Sequence, residues 1–229
     1  KSDRDAILQV FLRVFNEKLG YSGDAPHVAD MERHLAAKGV FDTFKSAFAQ
    51  SNGSTWEKER DAVDFLRDDI VVGLAQALKM SADSAGKWFD SARDDYRINI
   101  EGFAKVVNDY LATKPANHKI IFLVDEVGQF IGANSQLMLS LQTITEQLGT
   151  QCRGRAWVIV TSQEDIDAAI GEANKAKSQD FSKIQGRFHT RLSLASSNTD
   201  EVIGDLTQHG DRLLVGARGL AEALAREMA

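Results

Sequence analysis

Ile120-Ile121-Phe122-Leu123-Val124-Asp125-Glu126 runs five apolar residues, most of them β-branched or aromatic, straight into two carboxylates. A short continuous apolar run of this kind predicts a strand buried on both faces, as in a parallel sheet. Downstream, Gly128 to Asn134 reads as a loop. Ser135 can cap a helix in which Leu137, Leu141, Ile144 and Leu148 recur at helical spacing. Gly149 to Gly154 ends that helix, and Ala156-Trp157-Val158-Ile159-Val160 reads as a second buried strand. Strand, helix and strand in about forty residues predict a βαβ unit with its strands parallel and adjacent. The expected fold class is therefore α/β.

Upstream of this unit the texture is helical. An apolar stripe of Ile7, Leu8, Phe11, Leu12, Phe15 and Leu19 predicts a first helix, started by a Ser2/Asp5 capping pair and stopped by Gly20 to Gly23. Further helices are expected over about 27–49, 56–79, 82–95 and 99–112. The last has Asn99 as its cap and Ile100, Phe103, Val107, Tyr110 and Leu111 on one face. Core packing accounts for these aromatic stripes without any ligand. Lys114-Pro115-Ala116-Asn117 marks the change of texture, so the expected division is 1–112, 113–203 and 204–229.

The whole chain has 229 residues, 43% hydrophobic and 26% charged, ordinary values for a globular protein with a real core. Its formal charge of −6 argues against a dedicated nucleic-acid coat. One cysteine, Cys152, excludes an internal disulfide and fits a reducing compartment. No apolar run is long enough to cross a bilayer and no signal peptide opens the chain, so the expectation is a soluble, cytoplasmic protein without a membrane partner.

Chemistry concentrates at the strand ends. Carboxylates at the carboxyl end of a buried parallel strand sit where α/β folds bind ligands. Four apolar residues followed by Asp-Glu form the Walker B pattern of nucleotide hydrolases. There Asp125 would hold Mg²⁺ through water and Glu126 would polarise the attacking water. The second strand ends in Thr161-Ser162-Gln163-Glu164, where Ser162 and Gln163 fall at the position that senses a γ-phosphate in AAA+ ATPases. A helix cap formed by Ser162 and Asp165 explains the same residues without a ligand. Between Ala173 and Arg191, five basic residues stand against Asp180, and Arg187 and Arg191 share one helical face. Arginine forks suit phosphate, although a solvated basic face is the plainer reading. No Gly-x-x-x-x-Gly-Lys-Ser/Thr loop occurs in the chain. Its five histidines lack metal-ligand spacing, and His27 and His34 read as surface residues.

Taken together, Ile121 to Gly132, Val160 to Glu164, the cluster Phe181 to Leu194 and the segment Phe11 to Gly23 resemble one family. This is the large P-loop ATPase of bacterial BREX phage-defence systems, called BrxC or PglY. The resemblance implies a P-loop NTPase parallel-sheet core of AAA+/STAND type, incomplete at its first strands, carrying a large helical insertion. It implies ATP and Mg²⁺ as cofactors, with Asp125 and Ser162 at the nucleotide and Asp125 at the metal. Arg187 and Arg191 would be phosphate-sensing or subunit-bridging. It further implies that the nucleotide-binding loop precedes Lys1, that 204–229 diverges, and that this piece alone is inactive. Expected partners are other phage-defence proteins and further copies of the chain, with DNA weakly supported. The alternative is a non-catalytic helical interaction module.

Overall fold

The computed structural model describes residues 6–125 and 135–161. Their contacts divide the chain between Leu8 and Gln9 and again between Ile98 and Asn99. One unit is Gln9–Ile98, and the described residues on either side of it belong to the other.

Within Gln9–Ile98 the structure is helical throughout. Helix α1 (Ala6–Lys18) begins just outside this unit and runs into it, burying Phe11, Leu12 and Phe15. Helix α2 (Pro26–Ala37) starts with a proline in its first turn, where no intrahelical N–H is needed. The single helix expected over 27–49 is two helices, because Gly39 takes a left-handed φ of +68° and the chain restarts as α3 (Phe41–Asn52). The helix expected over 56–79 is likewise broken. A short α4 (Trp56–Glu59) passes into a 3-10 segment, Arg60–Phe65, before α5 (Arg67–Leu78). The expected helix over 82–95 is present as α6 (Ala82–Asp95), capped by the Ser81 hydroxyl, which accepts from Ser84 N at 3.1 Å.

The core of this unit centres on Trp56, whose ring meets Phe44 and Phe48 edge-on at 5.0 and 5.1 Å. Val28, Met31, Leu35, Ile70, Leu74 and Phe89 complete it. Helices α3 and α5 approach closely because residue 73 is glycine. A Cβ there would lie 2.8 Å from Phe44 Cδ2, inside van der Waals contact.

In the other unit, helix α7 (Ile100–Ala112) is capped as the sequence predicts, with Gly102 N donating to Asn99 Oδ1 at 2.7 Å. It precedes strand β1 (Ile120–Val124), helix α8 (Ser135–Gln151) and strand β2 (Ala156–Val160). The strands pair in parallel, Ile120 opposite Ala156 through Val124 opposite Val160, as expected of a βαβ unit. Leu137, Leu141, Ile144 and Leu148 are the buried stripe of α8. Phe103 of α7 meets Phe122 of β1 at 5.9 Å, so helix covers the sheet face that carries Phe122.

Two expectations are corrected here. Neither the α/β class nor a P-loop NTPase parallel-sheet core of AAA+/STAND type with a helical insertion is shown: the described residues are mostly helix, with only two short parallel strands. Among the described residues the pair has none of the flanking strands that make such a sheet a platform. Nor are the strands buried on both faces. Leu123, Trp157 and Ile159 are 40, 53 and 42% exposed, on the face opposite Phe122 and its contact with Phe103.

Candidate functional site

The site is built by the shared direction and register of the two strands. Because Val124 lies opposite Val160, the next residues, Asp125 and Thr161, leave the sheet together at its carboxyl edge. Thr161 N donates to Val124 O at 3.0 Å, extending the ladder by one bond. The Thr161 hydroxyl then donates to Asp125 Oδ1, tying the tips of the two strands through their side chains. Asp125 is exposed at this edge.

The amino edge is fixed more heavily. Arg155, the residue before β2, spreads its guanidinium over three backbone carbonyls. It donates to Leu111 O at 2.8 Å, Pro115 O at 2.9 Å and His118 O at 3.1 Å. Leu111 is in the last turn of α7, where orphan carbonyls carry the negative end of the helix dipole. Arg155 O in turn accepts from Ile120 N at 2.8 Å. One side chain thus joins the end of α7, the connection to β1 and the start of β2, and so sets the register on which the Asp125–Thr161 pairing depends. Cys152 lies buried in the preceding turn, its Sγ 3.8 Å from Ala104 O, and burial pushes its thiol up to about 11.

Of the residues singled out from sequence, Asp125 is the one the structure places. Glu126, Ser162, Gln163, Arg187 and Arg191 lie outside the described residues, as do the Ser2/Asp5 cap and the basic stretch 173–191. Sequence reasoning noted Thr161 only as part of a polar tip and missed its hydroxyl as the partner of Asp125. The equal lengths of the two apolar runs were the available signal, since equal runs in parallel bring their following residues side by side.

Among the described residues, no group of three or more His, Cys, Asp or Glu could hold a metal. A cation held wholly by these side chains therefore does not fit. Mg²⁺ bound with a nucleotide asks for less, one or two carboxylates with water and phosphate oxygens completing its octahedron. An exposed aspartate at a strand edge fits that smaller demand, and Asp125 is the residue that would supply it.

A second polar centre lies in the helical unit and was not foreseen. Glu32 of α2 is fully buried. Its carboxylate accepts from Ser22 N at 2.6 Å, Trp56 Nε1 at 2.7 Å and Arg60 Nη1 at 3.2 Å. Burial pushes the carboxyl above the ordinary glutamate range, more than these donors pull it back. Arg60 also donates to Gly20 O at 2.7 Å, so its guanidinium ties the turn after α1 to the buried carboxylate. His27, expected at the surface, is instead half-buried beside Phe89, and burial lowers its pKa.

No family model matches the chain, and no solved structure matches it. No helix among the described residues is long and apolar enough to cross a membrane.

Proposed function

We propose that the carboxyl edge of the strand pair is the Mg²⁺-holding and water-activating part of an ATP-hydrolysing protein of the phage-defence kind that the sequence resembles. The observation that carries this reading is the emergence of Asp125 and Thr161 side by side after parallel strands, with the hydroxyl orienting the carboxylate. The reading rests on that strand edge and on the order of residues, not on a complete sheet. Asp125 would hold Mg²⁺ through water. Glu126, the next residue, would take a proton from the water that attacks the γ-phosphate. Ser162 and Gln163 would face the same phosphate, and Arg187 and Arg191 would supply positive charge to it.

The chain carries no loop of the Gly-x-x-x-x-Gly-Lys-Ser/Thr kind. Backbone amides and a lysine must hold the β- and γ-phosphates before a carboxylate can act, because acids alone repel an anionic nucleotide. Residues 1–229 should therefore release phosphate from ATP no faster than buffer. In a longer protein that includes such a loop, Glu126→Gln should keep nucleotide binding and lower turnover by roughly 10²-fold or more, the scale for loss of a general base. Asp125→Ala should weaken Mg²⁺-dependent binding and turnover together. Steady-state phosphate release measured beside nucleotide binding tests this. Unchanged turnover in both variants removes the carboxylates from any mechanism.

A second reading, a helical interaction module, is favoured by one observation. Residues 9–98 form a unit with their own aromatic core around Trp56, which needs nothing from the strand edge. Partner binding that survives Asp125→Ala with Glu126→Gln, in a protein without ATPase activity, selects this reading.

A further inference from the structure

Asn52-Gly53 is the chain's one Asn-Gly pair. In such a pair the glycine backbone nitrogen can attack the asparagine side-chain carbonyl, since glycine has no side chain to screen it. A bond forms between Gly53 N and Asn52 Cγ, the Cγ–Nδ2 bond breaks, and the side-chain nitrogen leaves as ammonia. Water then opens the cyclic imide at either carbonyl, leaving aspartate or isoaspartate at position 52. Solvent supplies the water, and no oxidant, reductant or cofactor takes part.

The fold engages both reacting groups. Asn52 is the last residue of α3, and Gly53 follows in the left-handed region with φ +84°. Gly53 N donates to Ala49 O at 2.9 Å, so the nucleophile is occupied in closing the helix. The leaving amide is held from α5. Asn52 Nδ2 donates to Asp69 Oδ2 at 3.0 Å, and Ser51 Oγ donates to Asp69 Oδ1 at 2.5 Å. These two donors hold the Asp69 carboxyl below the ordinary aspartate range. Crowding does not guard the pair, because a Cβ on Gly53 would meet nothing within 4 Å. We propose that Asn52 is a deamidation site held shut by the contact of α3 with α5, and that Asp69 is the residue that holds it.

The product undoes the contact that delays it. A carboxylate at position 52 replaces the donor facing Asp69 Oδ2 with a second negative charge at the same distance. Asp69 lies in the first turn of α5, where the helix dipole favours its charge. Position 52 is at the opposite, negative end of the α3 dipole, so the new charge is opposed twice. Deamidation therefore loosens α3 from α5, the pair whose close approach Phe44 and Gly73 mark. The proposal rests on the helical unit alone and is independent of the strand edge.

Ageing the full chain in mildly alkaline buffer tests it. Trypsin then releases the peptide 46–58, bounded by Lys45 and Lys58, in which mass spectrometry reads conversion of Asn52. The same peptide made synthetically is the unfolded reference. Asn52 in the wild-type chain should convert at least about tenfold more slowly than in the peptide, since attack waits for local opening. Asp69→Ala removes the acceptor of both bonds and should speed conversion by about tenfold. Ile70→Val, which trims α5 one residue away and leaves Asp69 in place, should not change it. Asn52→Asp should lower the urea midpoint further than Asn52→Ala, which loses the bond without adding a charge.

Equal conversion in the chain and in the peptide overturns the proposal. So does equal acceleration by Asp69→Ala and Ile70→Val, which assigns the protection to overall stability and not to Asp69. An Asn52→Asp midpoint at or above that of Asn52→Ala overturns the loosening of α3 from α5. Should Asp69→Ala fail to fold, the comparison of chain with peptide and that of the two Asn52 variants still decide.

Discussion

Glu32→Ala should damage the helical unit severely, and its cost can be worked from three hydrogen bonds. The carboxylate serves one backbone donor, one indole donor and one arginine, on Ser22, Trp56 and Arg60. Ser22 and Trp56 are fully buried, so alanine leaves two donors without an acceptor and beyond the reach of water. Each such orphan costs about 1–3 kcal/mol. Arg60 loses less, because it keeps Gly20 O at 2.7 Å and its side chain is 18% exposed. The sum is roughly 3–5 kcal/mol, the range found when one partner of a buried charged pair is removed. Urea denaturation at neutral pH, followed by circular dichroism at the helical band, measures it as a lower midpoint. A loss under about 1 kcal/mol would refute the reasoning, since Ser22 N and Trp56 Nε1 must then have found other acceptors.

Three further outcomes follow from the same structure. Burial raises the Glu32 pKa in the folded state, so its contribution is full below the ordinary glutamate value and is lost as pH rises through the folded value. The stability difference between wild type and Glu32→Gln, which cannot ionise, should therefore shrink from acid towards neutral pH in paired denaturation curves; a difference that grows refutes the sign. Gly73→Ala should cost about 1–3 kcal/mol despite alanine's better helix propensity, because its Cβ drives into Phe44, and an unchanged melting temperature would count against the close approach of α3 and α5. Cys152, buried and with its thiol pushed up to about 11, is only about one part in 10³ thiolate at pH 8, so a disulfide reagent should label it far more slowly than free cysteine until the chain unfolds.

Local periodicity and end signals were enough for several elements. The Asn99 cap, the α7 stripe of Phe103, Val107 and Leu111, and the α8 stripe from Leu137 to Leu148 depend on neighbours three and four residues apart, which any sequence displays. The two apolar runs declared themselves as strands for the same reason, and the helix between them made parallel pairing the expected outcome. What periodicity missed was punctuation set by contacts distant in sequence. Near the break in the helix over 56–79, where Ala62 leaves helical φ/ψ, the Arg60 guanidinium reaches Glu32 and Gly20, 28 and 40 residues away.

The sequence by itself determined that strands 120–124 and 156–160 exist, that a helix joins them, and that a carboxylate follows the first. Only the tertiary structure decided what those strands amount to. Apolar runs look the same whether a sheet is wide and covered on both faces or, as among the described residues, two strands wide with one face partly exposed. The number of neighbouring strands is a long-range property that no five-residue run encodes. The pairing of Thr161 with Asp125 belongs to the same level, because it depends on a register held from the far edge by Arg155. So does Glu32, which a sequence shows only as one more acid on a helix. It becomes a buried hub because the loop at Ser22, the indole of Trp56 and the guanidinium of Arg60 converge on it in space.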